Sequence, residues 1–117
     1  MDVRVEPASG PGAEDGRAAV VTPSGRLTMV TAGELTALVE RTVAAGRTLL
    51  VVDLAETTFM DSSGLGALVA GLRATRAAGG DLRIARPTEQ VLTVLQLTTM
   101  DRVLRPYPTV DEALGAG

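Results

Sequence analysis

Apolar positions along this chain switch between a period of two and a period of about 3.6 residues. Asp2 to Glu6 alternates polar and apolar positions, as an edge strand with one face on the core would. Pro7 to Gly16 holds three glycines and two prolines and reads as a flexible loop. Ala18 to Thr22 is a second strand, the hairpin partner of the first, and Pro23-Ser24-Gly25 turns the chain into Arg26-Leu27-Thr28. Thr31 and Glu34 have capping-box spacing, with Val30 and Leu35 placed as a hydrophobic staple around them. Leu35, Leu38, Val39, Thr42 and Val43 then form a buried helical stripe that Gly46 ends.

The run from Thr48 to Leu54 is almost continuously apolar, which predicts a strand covered on both faces. Leu65, Leu68, Val69 and Leu72 recur at helical spacing before Gly79-Gly80 stops the helix. Asp81 to Ala85 is a short strand in which Leu82 and Ile84 alternate with Arg83. Pro87 suits the first turn of a third helix with the apolar face Val91, Leu92 and Leu95. Val103-Leu104 is a candidate last strand, and a terminal helix starts at Thr109 with Glu112 at capping-box spacing. Strands alternating with helices predict an α/β fold: a mixed sheet of four to five strands carrying four helices. At 117 residues the chain reads as a single domain over 1–117, the edge strand and loop filling 1–17.

Candidate chemistry concentrates in Phe59-Met60-Asp61-Ser62-Ser63-Gly64-Leu65-Gly66, between the most apolar strand and a helix. That position puts Ser62 at or near a helix N-cap, where backbone N–H groups lack partners and the macrodipole is positive. Asp61, Ser62 and Ser63 are also simply good capping residues. A phosphoryl group at Ser62 would nevertheless be well accommodated there.

Composition narrows the remaining options. Histidine, cysteine and lysine are absent, and all eleven basic residues are arginine. This removes the usual general base, the thiolate nucleophile, the Schiff-base amine and the lysine of a Walker loop, so no enzyme is expected. Asp53, Glu56 and Asp61 lie close in sequence, but Asp53 reads as a strand-end residue and their spacing matches no calcium loop, so no metal or cofactor is expected. A net charge of -3 without a basic stripe argues against nucleic acid, and Phe59 and Tyr107 are the only aromatics. No apolar run approaches the roughly 20 residues that span a bilayer, so the expectation is a cytoplasmic protein without membrane contact.

Asp53-Leu54 followed by Phe59 to Gly66 resembles the hallmark of the bacterial STAS-domain anti-sigma factor antagonists, and the likeness runs from Ala18 to Leu114. The resemblance implies a STAS fold and a partner switch. The unphosphorylated protein binds an anti-sigma factor that is also a serine kinase, so a sigma factor is freed for transcription. Phosphorylation of Ser62 breaks the complex and a serine phosphatase resets it. Asp61, Ser62, Ser63 and Gly64 with the Gly25-Arg26 turn form the implied docking face of a protein that is monomeric when free. The chain departs from the family at Thr28, where many members carry Asp, and at Thr98-Thr99-Met100, where a glycine-containing turn is usual. The alternative is a STAS module that binds a small molecule or serves a transporter or signalling assembly.

Overall fold

The computed structural model describes residues 2–8, 13 and 15–116. The predicted loop from Pro7 to Gly16 therefore falls partly outside the described residues. Strand β1 (Asp2–Pro7) pairs antiparallel with β2 (Ala18–Leu27), Val5 standing opposite Val21. The first half of β2 runs parallel to β3 (Leu49–Asp53), β3 to β5 (Asp81–Ala85), and β5 to the two-residue β6 (Pro106–Tyr107). The order is β1-β2-β3-β5-β6, and β4 (Thr57–Met60) pairs with the second half of β2. Helices α1 (Met29–Ala44), α2 (Ser62–Ala77), α3 (Glu89–Leu97) and α4 (Val110–Gly115) connect and cover these strands.

Alternation within β3 explains its unbroken apolar run. Leu50 and Val52 enter the large core with Leu35, Val39, Leu68 and Leu72, while Val51 enters a smaller cluster with Ala18, Ala113 and Leu114. Both faces of β3 are thus dry. Helices α1 and α2 approach closely at Gly71, where an added Cβ would lie 2.8 Å from Leu82 Cδ1 and 3.5 Å from Val39 Cγ1.

The fold agrees with the mixed α/β architecture read from the sequence but has six strands. β4 was not predicted, because four residues without strong alternation gave no separate signal. Pro23, Ser24 and Gly25 do not leave the sheet: they extend β2, with Pro23 opposite Val3, and the register slips between Gly25 and Arg26. Gly25 takes φ +94°, a conformation L side chains rarely adopt, which makes the bulge possible.

The start of α1 also corrects the expected capping box. Thr28 is the N-cap and Thr31 stands at N3; the Thr31 hydroxyl accepts the Thr28 N–H (2.8 Å) and donates to the Arg26 carbonyl (2.9 Å). Val30 is 78% exposed, so it forms no staple with Leu35. Pro87 precedes α3 instead of opening it, because Thr88 is the N-cap. The last strand is Pro106–Tyr107, not Val103-Leu104; a 3-10 turn at Met100–Arg102 carries Leu104 into the core, and Thr99 enters that turn at φ +56°. A proline on an edge strand loses no ladder bond. At α4 the Thr109 hydroxyl accepts the Glu112 N–H at 3.0 Å, as expected.

Candidate functional site

The segment that carries the hallmark motif is held from three sides. Met60 has its N–H bonded to Gln90 Oε1 (2.8 Å), and its carbonyl accepts from Gln90 Nε2 (3.1 Å), so one α3 side chain occupies the edge of β4 that no strand covers. The Thr88 hydroxyl donates to the Thr57 carbonyl (3.0 Å), and the buried Thr57 hydroxyl donates to the Pro23 carbonyl (3.0 Å). On the other side the Asp61 N–H reaches the Leu27 carbonyl (3.3 Å). The start of α2 is therefore fixed by β2, β4 and α3 together.

Asp61 is the N-cap, in extended conformation (φ -106°, ψ -171°), and Ser62 is the first helical residue. Asp61 Oδ1 accepts the N–H groups of Ser63 (2.9 Å) and Gly64 (3.1 Å), while its carbonyl accepts from Leu65 N–H (3.0 Å). A carboxylate placed against the positive end of the helix gains from both the hydrogen bonds and the macrodipole. The sequence reading placed Ser62 at or near the cap, and the structure puts it one residue inside. Ser62 is exposed and Ser63 half-buried. Among the described residues no side chain accepts a hydrogen bond from Ser62 Oγ.

Gly64 has a structural duty at this site. A Cβ there would stand 2.5 Å from the Leu27 carbonyl oxygen and 2.9 Å from Met60 Cγ, inside contact distance, so the first turn of α2 sits directly on β2 and β4. Gly66 by contrast has open space around it. Gly25 donates its N–H to the Glu56 carbonyl (2.9 Å), and Arg26 is exposed with its guanidinium 4.4 Å from the centre of the Phe59 ring, a cation–π contact. Residues 25–26 and 61–64 are thus neighbours through the Leu27 carbonyl. Thr28 caps α1 beside them.

Asp53 and Glu56 border one concavity, and Asp61 stands apart from them. The Asp53 side chain is buried at the end of β3, where it accepts from both Arg86 Nε (3.1 Å) and an Arg86 terminal nitrogen and from the Ala55 N–H (3.2 Å). Arg86 holds φ +53°, and its guanidinium is kept charged more firmly than usual by the hydrogen bond to Asp53. Glu56 bonds Arg4 (2.6 Å) and the Ser24 hydroxyl (2.8 Å), and the Arg4 bond holds its carboxyl below the ordinary carboxylate value. These groups, with Thr22 and Asp111, border a shallow concavity of about 370 Å³ on the sheet face that α4 covers in part. Among the described residues no cluster of three or more acidic groups could hold a metal ion.

Gln90 is the site residue that sequence reasoning missed. Nothing in Thr-Glu-Gln-Val distinguishes it from a solvated helix residue, because its role depends on a strand 30 positions away.

The STAS domain family matches this chain over residues 13–113. The chain belongs to the STAS-domain family. Over 69 residues this STAS domain is 33% identical to a Thermotoga neapolitana protein provisionally named an anti-sigma factor antagonist homolog, spanning 59% of the chain and 61% of that relative. A Thermotoga maritima protein of similar provisional name is 36% identical over 61 residues, 52% of the chain and 54% of the relative. The match thus spans little more than half the length of these relatives. An anti-sigma factor antagonist from Mycobacterium paratuberculosis superposes with a TM-score of 0.76 at 28% identity, over 97% of this chain and 92% of the other. The anti-sigma factor antagonist SpoIIAA in its unphosphorylated form gives 0.77 at 21% identity, over 97% and 93%, a likeness of fold. No helix among the described residues of this STAS domain is long and apolar enough to cross a membrane.

Proposed function

We propose that this STAS domain is an anti-sigma factor antagonist whose partner switch is Ser62. The observation that carries the reading is the exposed Ser62 at the first position of α2, beside the Asp61 cap, in a chain whose relatives and structural neighbours bear that function in their names. Its partner is an anti-sigma factor with serine kinase activity, and a serine phosphatase reverses the modification.

The physics of release is electrostatic. Phosphorylation adds about -1.5 to -2 charges at one side chain. That charge would stand next to Asp61, whose Oδ1 already takes the Ser63 and Gly64 amides, so the helix start can offer the phosphate its dipole but not those two donors. Inside a docked interface an added dianion brings repulsion and desolvation cost. Because Met60, Asp61 and Gly64 are tied to β2 and α3, the change acts on the surface and leaves the fold standing.

Co-purification from the native cell tests this reading with wild type, Ser62→Ala and Ser62→Asp. Ser62→Ala should retain an anti-sigma factor and take up no phosphate, and wild type incubated with that partner and ATP should gain one phosphate on Ser62 and lose affinity at least tenfold, about 1.4 kcal/mol. Phosphate on another residue with Ser62→Ala modified normally would overturn the assignment. Ligand binding in the concavity beside Asp53 is the second reading. Both guanidiniums there, Arg4 and Arg86, already pair with carboxylates, which leaves an anionic ligand no free cation from them.

A further inference from the structure

Ser62 lies where added negative charge meets very little positive charge. Asp61 is one residue away, and segments 24–31 and 57–66, which meet at the Leu27 carbonyl, hold a single basic residue, Arg26. Among the described residues Arg26 makes no ion pair, as is also true of Arg41, Arg47, Arg73, Arg102 and Arg105, but Arg26 alone of these belongs to the two segments that meet at Ser62. Its guanidinium instead rests 4.4 Å from the centre of the Phe59 ring, a weak cation–π contact at the protein surface. An arginine held that weakly is free to turn to a better partner, and a phosphate dianion is the better partner, because its oxygens accept the guanidinium's N–H groups in pairs.

The two segments meet at the ends of β2 and β4. Arg26 is paired with Phe59 and Leu27 with Met60 across β2 and β4. The Leu27 carbonyl, one residue from Arg26, accepts the Asp61 N–H, one residue from Ser62, and lies against Gly64. Leu27 and Met60 are fully buried beneath the first turn of α2, so alternation turns Arg26 and Phe59 to the outer face of the same strand pair, at whose end Ser62 is exposed.

Building on the Ser62 reading, we infer that Arg26 is an intramolecular latch for phosphoserine 62: on phosphorylation its guanidinium leaves the Phe59 ring and pairs with the phosphate. The switch then has two parts, because it adds an anion to the docking face and withdraws the cation that the unphosphorylated face presents. The latch also makes the phosphate a bound group, which slows its removal by a phosphatase.

The test uses the full chain with phosphoserine genetically encoded at position 62, so it requires no kinase. Phosphorus NMR should show the second ionisation of the phosphate at lower pH in the wild-type background than in Arg26→Gln, by about half a unit at low salt, since a neighbouring cation favours the dianion. The difference should shrink as salt rises. Arg26→Lys should retain part of it, and the Phe59 ring signals should move with the phosphate titration in the wild-type background. Coincident titration curves for wild type and Arg26→Gln, with unmoved Phe59 signals, overturn the latch. Its failure is distinct from failure of the Ser62 reading: in the first case cellular kinase still modifies Ser62 while the curves coincide, and in the second Ser62 stays unmodified in the cell while the curves differ.

Discussion

Helices α1 and α2 leave paired strands, β2 and β4, at Thr28 and Asp61, and their first turns are closed by different chemistry. At α1 neutral hydroxyls do the work, Thr31 bridging the Thr28 N–H and the Arg26 carbonyl, and the next residues, Met29 and Val30, stand 76% and 78% exposed. At α2 a carboxylate holds two amides, and the turn is pressed onto β2 so closely that Gly64 has no room for a methyl group. Under the proposed switch, a surface that accepts and loses a phosphate without unfolding needs its anchor to be independent of the modified residue. Asp61 and Gly64 supply that independence to Ser62, while the start of α1 offers apolar surface and no charge.

The largest effect that would break this contrast is steric. Gly64→Ala should destabilise the chain by about 3 kcal/mol, because the new Cβ meets a backbone oxygen that cannot move aside. Gly33→Ala in the first turns of α1 should instead stabilise it by about 0.5–1 kcal/mol, since nothing lies within 4 Å and alanine is the better helix former. Denaturant melts of the pair decide the matter; equal effects would mean that α2 is no more tightly seated than α1.

Capping gives the intermediate effect. Asp61→Ala should cost about 1–2 kcal/mol and Asp61→Asn distinctly less, whereas Ser62→Ala, one residue inside the helix, should change stability by less than about 0.5 kcal/mol. Thermal unfolding in which Ser62→Ala is the most damaging of the three would move the cap to Ser62.

The smallest effect lies upstream, where Glu56 ties Arg4 and Ser24 together just before the two strands deliver their helices. Its carboxyl is held below its ordinary value of 4.5, chiefly by the Arg4 hydrogen bond, so its contribution to stability is complete above that value and fades as pH falls through the lowered one. Glu56→Gln should therefore be slightly less stable than wild type at neutral pH and indistinguishable from it in strong acid, and high salt should narrow the gap. A gap that widened on acidification would contradict the pairing.

Those parts of the molecule whose burial is periodic could be read directly. β3 is dry on both faces and shows it in Leu49 to Val52; α2 shows its seat in Leu65, Leu68 and Leu72; Asp61 to Gly64 marks its own helix start. The start of α1 escapes local pattern because two overlapping threonine spacings fit one cap, and the Thr28 N–H bond to the Thr31 hydroxyl with the Ala32 N–H bond to the Thr28 carbonyl selects Thr28. β4 stayed hidden because its partners are remote: half of β2 on one side and the Gln90 amide on the other. The nearness of the Gly25-Arg26 turn to the start of α2 is suggested by the family likeness, and the contact of Arg26 with Phe59 depends on a bulge no local pattern announces.

The slip in register between Gly25 and Arg26 has a consequence for how this domain can diverge. β2 answers to one neighbour, β3, in its first half and to another, β4, in its second. Side chains alternate with a period of two, so removing one residue between Pro23 and Gly25 would exchange the faces of Arg26 and Leu27 relative to β4 while leaving the pairing with β3 intact. The core would receive a guanidinium and the surface a leucine. Length is consequently the rigid property of this strand and composition the flexible one: a lineage can retune residue 26 to suit a new partner by substitution, whereas a single-residue deletion there would dismantle the surface and the core at once.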